Sequence, residues 1–418
     1  MCPPSGAPGG GYCRSMSTGG LSAARLGLMH RVMEGYVERG ELAGLVTLVS
    51  RRGETHVDAV GTMAVGGTVP MGRDTVFRIS SMTKPITAVA TMILVEECRL
   101  RLDEPVDRLL PELADRRVLW RIDGPLEDTV AAVRPITVRD LLTFRMGFGM
   151  VMAEPDSTPL LRAMGGLRLG QGPPAPQEPP GPDEWMRNLG TLPLMHQPGE
   201  RWMYNTGSDV LGVLVARASD RPFETFLHER VFGPLGMVDT GFATPAGEIS
   251  RLATAYGTDP STGALDLYDE PATGQWSVAP AFPSGGAGLV STVDDYLAFG
   301  RMLLDGGRQR GGRILSRPSV ATMTTDHLTP EQKAVSGIVP GFFDGHGWGF
   351  GVSVVTRRDV VPGSIGTFGW DGGLGTSWFT DPAEELVVVL MTQCAWPSPS
   401  PPAVMRDFWT LTYAAIDD

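Results

Sequence analysis

Strand patterns at both ends of the chain constrain its fold more than any other feature. Residues 45–49 and 56–60 read as two strands around a turn at Arg52-Gly53, which is typical of a β-hairpin. Further strand patterns lie towards the other end: 348–355, 364–370, 375–379 and 386–391. The simplest fold is α/β (α+β), with one antiparallel sheet built from both chain ends and flanked by helices.

Helical patterns predominate in the chain between these strands and also flank them. Apolar residues recur at helical spacing in several segments: 21–38, 86–94, 136–142, 207–218, 223–232, 294–304 and 403–416. We therefore expect a sheet lobe from residues 21–79 and 290–418 and a large, mostly helical lobe from residues 80–289. The active site is expected in the cleft between the two lobes.

Three segments lack a regular pattern. The stretch beyond Thr240, up to residues 284–288, is rich in glycine, proline and threonine and has few regular elements. Residues 1–20 are rich in glycine, proline and serine and have no apolar core of a secretory signal, which predicts a disordered tail. Residues 150–182 contain many prolines, which predicts a long surface loop that can also form the rim of a cleft.

Charge and cysteine content exclude several classes of function. The net charge of −12 argues against nucleic acid and anionic membrane surfaces as partners. No apolar run approaches the length of a membrane span. The four cysteines show neither a disulfide framework nor the paired spacing of a metal site. These features favour a cytoplasmic protein with a small-molecule substrate.

The clearest candidates for catalytic residues lie in residues 77–85, which lead into a predicted apolar helix. Pro85 fits only near the start of that helix, so Ser81 lies at or just before the first turn. Lys84 follows one turn later on the same side. A serine hydroxyl beside an amine, near free backbone N–H groups, is the minimum requirement for acyl transfer.

The rarity of lysine strengthens this interpretation. The chain has 35 lysines and arginines together, and only Lys84 and Lys333 are lysines. Arginine does not lose its proton inside a protein, whereas a buried lysine can. A lysine beside Ser81 therefore indicates a need for an amine that can be deprotonated. The plainer alternative is an N-cap serine followed by a solvated lysine.

Other hydrolytic mechanisms find no support in the sequence. There is no G-x-S-x-G motif, which excludes the nucleophile elbow of the α/β-hydrolases. The six histidines occur in no recognisable triad or H-E-x-x-H motif, so we expect neither a metal nor a cofactor. A useful tyrosine does occur: Tyr204 lies in a turn that leads into a helix, and a phenol near an ammonium can act as a base.

Three motifs occur in order along the chain: Ser81-Met82-Thr83-Lys84 (S-x-x-K), Tyr204-Asn205-Thr206 and Trp370-Asp371-Gly372. They resemble the serine β-lactamase-like, penicillin-recognising superfamily, and within it the family VIII carboxylesterases, which are most similar, and the class C β-lactamases. The third motif aligns with K-T-G of the β-lactamases. The stretches 136–142 and 284–289 are also similar to family signatures. The resemblance runs from about residue 21 to the C-terminus and implies a β-lactamase/transpeptidase-like fold.

The resemblance also implies a role for each matching residue. Ser81 would be the acylated nucleophile, and Lys84 and Tyr204 would share the proton that activates it. The backbone N–H groups of Ser81 and Gly373 would form the oxyanion hole.

The departures from the β-lactamase motifs concern the residues expected to bind substrate, namely Thr206, Trp370, Asp371 and Gly372. Thr206 stands where β-lactamases have an asparagine that contacts the substrate amide. Trp370 stands where they have the lysine that helps to hold the β-lactam carboxylate. An apolar wall and a negative charge at positions 370 and 371 favour neutral, apolar acyl groups.

The leading hypothesis is a cofactor-free serine carboxylesterase that hydrolyses small, short-chain acyl esters through an acyl-enzyme on Ser81. A β-lactamase or D-peptidase would use the same machinery. An acyltransferase that passes the acyl group to a small acceptor is a further alternative. A binding or sensor domain that keeps the fold without turnover is the alternative outside enzymes.

Overall fold

The computed structural model describes residues 19–170, 172–259, 261–358 and 363–418. The tail predicted for residues 1–20 lies almost wholly outside these ranges. The strands are β1 (Gly44–Arg51), β2 (Glu54–Gly61), β3 (Phe77–Arg78), β4 (Arg117–Leu119), β5 (Thr129–Ala131), β6 (Ala255–Thr258), β7 (Leu265–Asp269), β8 (Val290–Ser291), β9 (Arg308–Gln309), β10 (Gly312–Arg313), β11 (His346–Trp348), β12 (Ser353–Val355), β13 (Phe368–Gly372), β14 (Thr376–Asp381) and β15 (Leu386–Thr392).

Helices lie between and around these strands, with irregular segments connecting them. The α-helices are α1 (Ala23–Glu38), α2 (Thr83–Glu96), α3 (Val138–Leu142), α4 (Pro159–Gly166), α5 (Pro182–Thr191), α6 (Thr206–Ser219), α7 (Phe223–Leu227), α8 (Gly233–Leu235), α9 (Val293–Leu304), α10 (Arg317–Met323), α11 (Pro330–Ala334) and α12 (Ala403–Ala414). Short 3-10 helices span Ser80–Met82, Pro111–Leu113 and Ile249–Arg251, and a π-helical turn spans His228–Phe232.

One antiparallel sheet joins the two ends of the chain, which confirms the predicted fold class. Its strand order is β11-β12-β13-β14-β15-β1-β2. The N-terminal hairpin is added to the C-terminal strands through β1 and β15, where Thr47 lies opposite Leu390. The division into lobes at residues 79 and 290 stays a prediction, although β3 and β8 pair with each other at that boundary.

The sheet is covered on both faces, and this explains the wholly apolar sequence at the centre of β15. Val387, Val389 and Met391 pack into the core shared with the helical part of the chain. Val388 and Leu390 face the other way, where they pack with residues of α1 and α12. A strand that is buried on both faces needs apolar residues at successive positions.

The structure corrects two strand predictions. The pattern at 348–355 is not one strand, because the chain turns between β11 and β12, which pair antiparallel. Gly351 has a φ of +70°, and a Cβ atom there would lie 2.9 Å from the carbonyl oxygen of Lys84, so the tip of this hairpin packs against α2. The strand predicted at 364–370 begins only at Phe368, because a turn closed by a Thr367-to-Ser364 hydrogen bond precedes it.

The prediction of a loop over residues 150–182 is wrong in part. Helix α4 lies within this segment, and Leu160, Leu161 and Met164 on it are buried. Thr158 caps the helix by accepting a hydrogen bond from the backbone N–H of Leu161, and Pro159 is its first residue. These are ordinary start signals of a helix, but the surrounding prolines obscure them in the sequence.

We expect Leu390→Ala to lower the free energy of unfolding by about 2–5 kcal/mol, because Leu390 is fully buried and truncation leaves a cavity. The matched control is Leu267→Ala in β7. Leu267 is 58% exposed, so this substitution should lower the free energy of unfolding by less than about 0.5 kcal/mol. Urea unfolding followed by circular dichroism measures both. Equal losses in the two variants would contradict the assignment of β15 to the centre of the core.

Candidate active site

Ser81 lies at the entrance to α2. The 3-10 turn Ser80–Met82 runs directly into the helix, and Ser80 has a φ of +44°, in the left-handed region. Ser80 and Met82 are buried, whereas Ser81 is partly exposed. The turn therefore anchors its two outer residues in the core and leaves the Ser81 hydroxyl accessible.

Lys84 lies beneath Ser81 and is completely buried. Its Nζ atom is 2.9 Å from Ser81 Oγ and 2.6 Å from the carbonyl oxygen of Gly286. Burial lowers the pKa of Lys84 from 10.5 to about 7, and the nearby carboxylate of Asp209 opposes part of this shift. Part of the amine population is therefore deprotonated near neutral pH and can accept the serine proton.

Tyr204 completes the group around the serine hydroxyl. Nζ of Lys84 lies 4.5 Å from the centroid of the Tyr204 ring. Burial raises the pKa of Tyr204 above its usual value, while hydrogen bonds with Ser81 and Trp370 act in the opposite direction. Tyr204 is therefore a neutral phenol at rest, which makes Lys84 the better candidate for the base.

Trp370 fixes the direction of the Tyr204 hydroxyl. Its indole Nε1 donates a hydrogen bond of 2.7 Å to Tyr204 Oη. An indole N–H can only donate, so the phenol oxygen is the acceptor on this side. The phenol hydrogen is then free to point towards Ser81. The sequence predicted Trp370 as a substrate-binding residue, and the structure brings it to the site through this contact.

Gly372 and Gly373 bring the end of β13 to the Ser81 turn. A Cβ atom at Gly372 would overlap the carbonyl oxygen of Ile79, so only glycine permits this approach. Gly373 is exposed, and a Cβ atom placed there would have no neighbouring atom within 4 Å. In the described part of the chain, the backbone N–H groups of Ser81 and Gly373 have no backbone hydrogen-bond acceptor. Their role as an oxyanion hole stays a prediction.

The other two predicted substrate-binding residues are Asp371 and Thr206. Asp371 points to the opposite face of β13 from Trp370, where its carboxylate accepts a hydrogen bond of 2.6 Å from Ser377 Oγ. Trp409 of α12 donates to the same Ser377 hydroxyl. The side chain expected beside the substrate therefore faces α12, and burial raises the pKa of Asp371 to about 7, so it is not a fixed negative charge near neutral pH. Thr206 is buried as the first residue of α6.

Sequence reasoning missed Asp209, a buried carboxylate on α6. It accepts hydrogen bonds from Ser284 Oγ at 2.6 Å and from the backbone N–H of Gly286 at 3.0 Å. The carbonyl group of Gly286 in turn accepts from Lys84. Asp209 thus fixes the loop at residues 284–286, whose Gly286 carbonyl group positions the Lys84 amine. Its only sequence signal was an acidic residue inside an otherwise apolar helix.

Sequence reasoning also missed the aromatic cluster around Tyr204. The ring centroids of Trp202, Phe144, Trp370 and Trp348 lie 5.5, 5.8, 5.7 and 6.5 Å from that of Tyr204. These rings come from distant parts of the chain, and apart from Trp370 each resembled an ordinary core residue in the sequence. They restrict the Tyr204 ring to one position.

A cavity of about 210 Å³ opens beside Tyr204. Most of its walls are apolar and come from three segments: residues 150–152, 202–204 and 335–338. The first of these belongs to the proline-rich segment that the sequence predicts as a rim. Within the described residues, no cluster of three or more histidine, cysteine, aspartate or glutamate side chains is arranged to hold a metal ion.

Comparison with known proteins identifies the family. The model of the Beta-lactamase family matches residues 29–405, and the chain belongs to this family. An uncharacterised protein of Mycobacterium tuberculosis is 43% identical over 363 residues, covering 85% of this chain and 87% of that protein. Esterase EstB of Burkholderia gladioli is 32% identical over 406 residues, covering 91% and 94% of the two chains.

A solved structure agrees with this assignment. EstCE1, a hydrolase with promiscuous acyltransferase activity, superposes with a TM-score of 0.74 at 27% identity, covering 95% of this chain and 100% of that chain. The protein is therefore a β-lactamase-fold member of a family of serine hydrolases and acyltransferases. No helix among the described residues has the length and apolar character needed to cross a bilayer.

We expect Asp209→Asn to shift the acid limb of the pH–rate profile to lower pH. Asparagine can still accept from Ser284 and Gly286, but it removes the charge that raises the pKa of Lys84. The measurement is the rate of the p-nitrophenol burst with p-nitrophenyl acetate as a function of pH. The control is Asp295→Asn, a second buried aspartate, which bonds to Thr240 and not to the lysine loop. An unmoved limb in Asp209→Asn would contradict the coupling.

Proposed function

We propose that the protein is a serine carboxylesterase that hydrolyses small esters with short acyl chains through an acyl-enzyme on Ser81. The observation that carries the proposal is the 2.9 Å contact between Ser81 Oγ and the fully buried Lys84 Nζ. Burial leaves this amine with a pKa of about 7, which suits a general base near neutral pH. Similarity to esterase EstB supports the same reaction.

The acylation step follows from the contacts. Ser81 Oγ attacks the ester carbonyl carbon as its proton passes to neutral Lys84. The oxyanion that forms is stabilised by the N–H groups of Ser81 and Gly373. The bond to the alcohol oxygen then breaks, and Tyr204 gives that oxygen its phenol proton. The ammonium of Lys84 returns a proton to Tyr204, which leaves both groups neutral.

Deacylation repeats these steps with water. The neutral Lys84 and Tyr204 pair accepts a proton as water attacks the acyl carbon, and Ser81 Oγ leaves with that proton. The products are a carboxylic acid and the regenerated serine. No cofactor or metal takes part in this scheme, and its substrate is a small-molecule ester. We also propose a cytoplasmic location, with neither nucleic acid nor membrane as partner.

The residue at position 370 favours esters over β-lactams. A β-lactam carries a carboxylate, and the lysine of the β-lactamase motif supplies a positive charge for it. Trp370 supplies none, and its N–H is already committed to Tyr204. Asp371 cannot replace that positive charge either, because its side chain is an acid.

Acyl transfer to an alcohol is the second candidate. The cavity beside Tyr204 can hold an alcohol in place of water, and attack by that alcohol on the acyl-enzyme is the reverse of acylation. The similarity to EstCE1, a hydrolase with promiscuous acyltransferase activity, supports this candidate. The ratio of new ester to free acid in the presence of added alcohols distinguishes it from hydrolysis.

The main test compares p-nitrophenyl acetate, butyrate and octanoate with a chromogenic cephalosporin. We expect turnover of the acetate and butyrate far above that of the cephalosporin, because no cation at position 370 holds the β-lactam carboxylate. Ser81→Ala serves as the blank and should lose ester turnover while its circular dichroism spectrum stays unchanged. A cephalosporin rate above every ester rate would overturn the esterase assignment.

Lys84→Arg should lower kcat/KM by about 10²–10⁴-fold, because arginine cannot accept the proton of Ser81. The chain offers a matched control in its other lysine, Lys333, which pairs with Asp326 and not with Ser81. Lys333→Arg keeps that charge and should keep full activity. Normal turnover by Lys84→Arg would refute the base role.

A further inference from the structure

The cavity beside Tyr204 combines apolar walls with a single cationic side chain. Met150, Met152, Trp202 and Ile338 are among the apolar residues that line it. Met152 is 55% exposed, so the cavity has an apolar mouth. Its volume of about 210 Å³ lies below the ~300–1,000 Å³ of drug-sized sites, which suits one compact group.

The position of Tyr204 assigns this cavity to one half of the ester. In the proposed reaction, Tyr204 gives its proton to the departing alcohol oxygen, so the alcohol lies against the phenol. The predicted oxyanion hole lies at Ser81 and the end of β13, whereas the cavity opens on the Tyr204 side and is lined by residues 202–204. The alcohol half therefore extends into the cavity.

Arg201 supplies the positive charge of this cavity. Its Nη1 donates a hydrogen bond of 3.2 Å to the carbonyl oxygen of Val335 in the opposite wall, which holds the guanidinium across the cavity. Its Nε is shielded from solvent and has no hydrogen-bond partner among the described residues. The nearest carboxylate to this Nε is that of the half-exposed Glu200, whose Oε1 lies 4.0 Å from it, at the limit of an ion pair and beyond hydrogen-bond distance. The guanidinium thus keeps donor capacity for a ligand.

His196 adds a polar but uncharged group to the same wall. Burial lowers the pKa of His196, and the positive charge of Arg201 lowers it further. The imidazole is therefore neutral at pH 7. Arg201 remains the cation to which an anionic ligand in this cavity would bind.

We propose that the cavity binds the alcohol half of the substrate and that Arg201 selects alcohols with a compact apolar body and an anionic group. A carboxylate on the alcohol would accept hydrogen bonds from Arg201 while the apolar body fills the space beside Trp202. This inference rests on the proposed esterase function, and it names the substrate class of that same site.

The test compares phenyl butyrate with the butyrate ester of 4-hydroxyphenylacetate, which differ by one carboxylate-bearing group on the alcohol. Arg201→Gln should lower kcat/KM for the carboxylate ester by about tenfold or more, since a hydrogen bond to a charged group is lost. The loss on phenyl butyrate, which has no carboxylate, should be clearly smaller, so the ratio of the two kcat/KM values should fall. Glu200→Gln is the matched control and should raise the preference for the carboxylate ester, because it removes a competing anion.

A second variant tests which half of the ester enters the cavity. Ile338→Trp should reduce the space in the cavity and lower activity on phenyl butyrate relative to methyl butyrate. The ranking of activity on the p-nitrophenyl esters of acetate, butyrate and octanoate should stay the same. An altered order of acyl chains would overturn the assignment to the alcohol. An equal effect of Arg201→Gln on both phenyl esters would overturn the selection of an anion.

The esterase proposal itself is checked separately in the same samples. Intact-protein mass spectrometry should detect a butyryl adduct in the wild type and in Arg201→Gln, and none in Ser81→Ala. If the adduct forms but the two phenyl esters are used alike by wild type and Arg201→Gln, the inference about Arg201 fails alone. If no adduct forms on the wild type, the proposed function fails.

Discussion

The chemistry of this site depends on the burial of one lysine. Lys84 is fully enclosed, and the removal of water from its amine lowers its pKa to about 7. The fold keeps the amine hydrogen-bonded to Ser81 and Gly286, so burial does not leave it without partners. An exposed lysine at the same spacing would stay protonated near neutral pH and could not act as the base.

The sheet and the helical part of the chain both contribute to the position of Lys84. The tip of the β11–β12 hairpin packs on its helix turn at Gly351, and the end of β13 packs on the preceding turn at Gly372. From the helical side, Asp209 holds the loop whose Gly286 carbonyl receives the amine. Elements from both ends and from the middle of the chain therefore build the site. A catalytic serine needs such support, because surrounding residues must hold its partner groups in fixed positions.

The sequence predicts the reacting residues better than their surroundings. Ser81, Lys84 and Tyr204 could be named because their spacing and the rarity of lysine are local signals. Asp209 and Trp202 could not, since their importance comes from contacts made only in three dimensions. Asp371 was expected beside the substrate, but the alternation of β13 turns it towards α12. Residues 348–355 were predicted as one strand because apolar residues alternate along the whole segment. The alternation continues across the turn between β11 and β12, where glycines allow the chain to reverse.

The most direct test of the central claim is an NMR titration of the lysine side chains. The chain contains two lysines, so protein labelled with ¹³C-lysine gives two ε-carbon signals, and Lys333→Arg assigns them. We predict that the Lys84 signal titrates near pH 7, while Lys333 supplies the second, separately assigned signal. A Lys84 signal that titrates near the ordinary lysine value of about 10.4 would contradict the account.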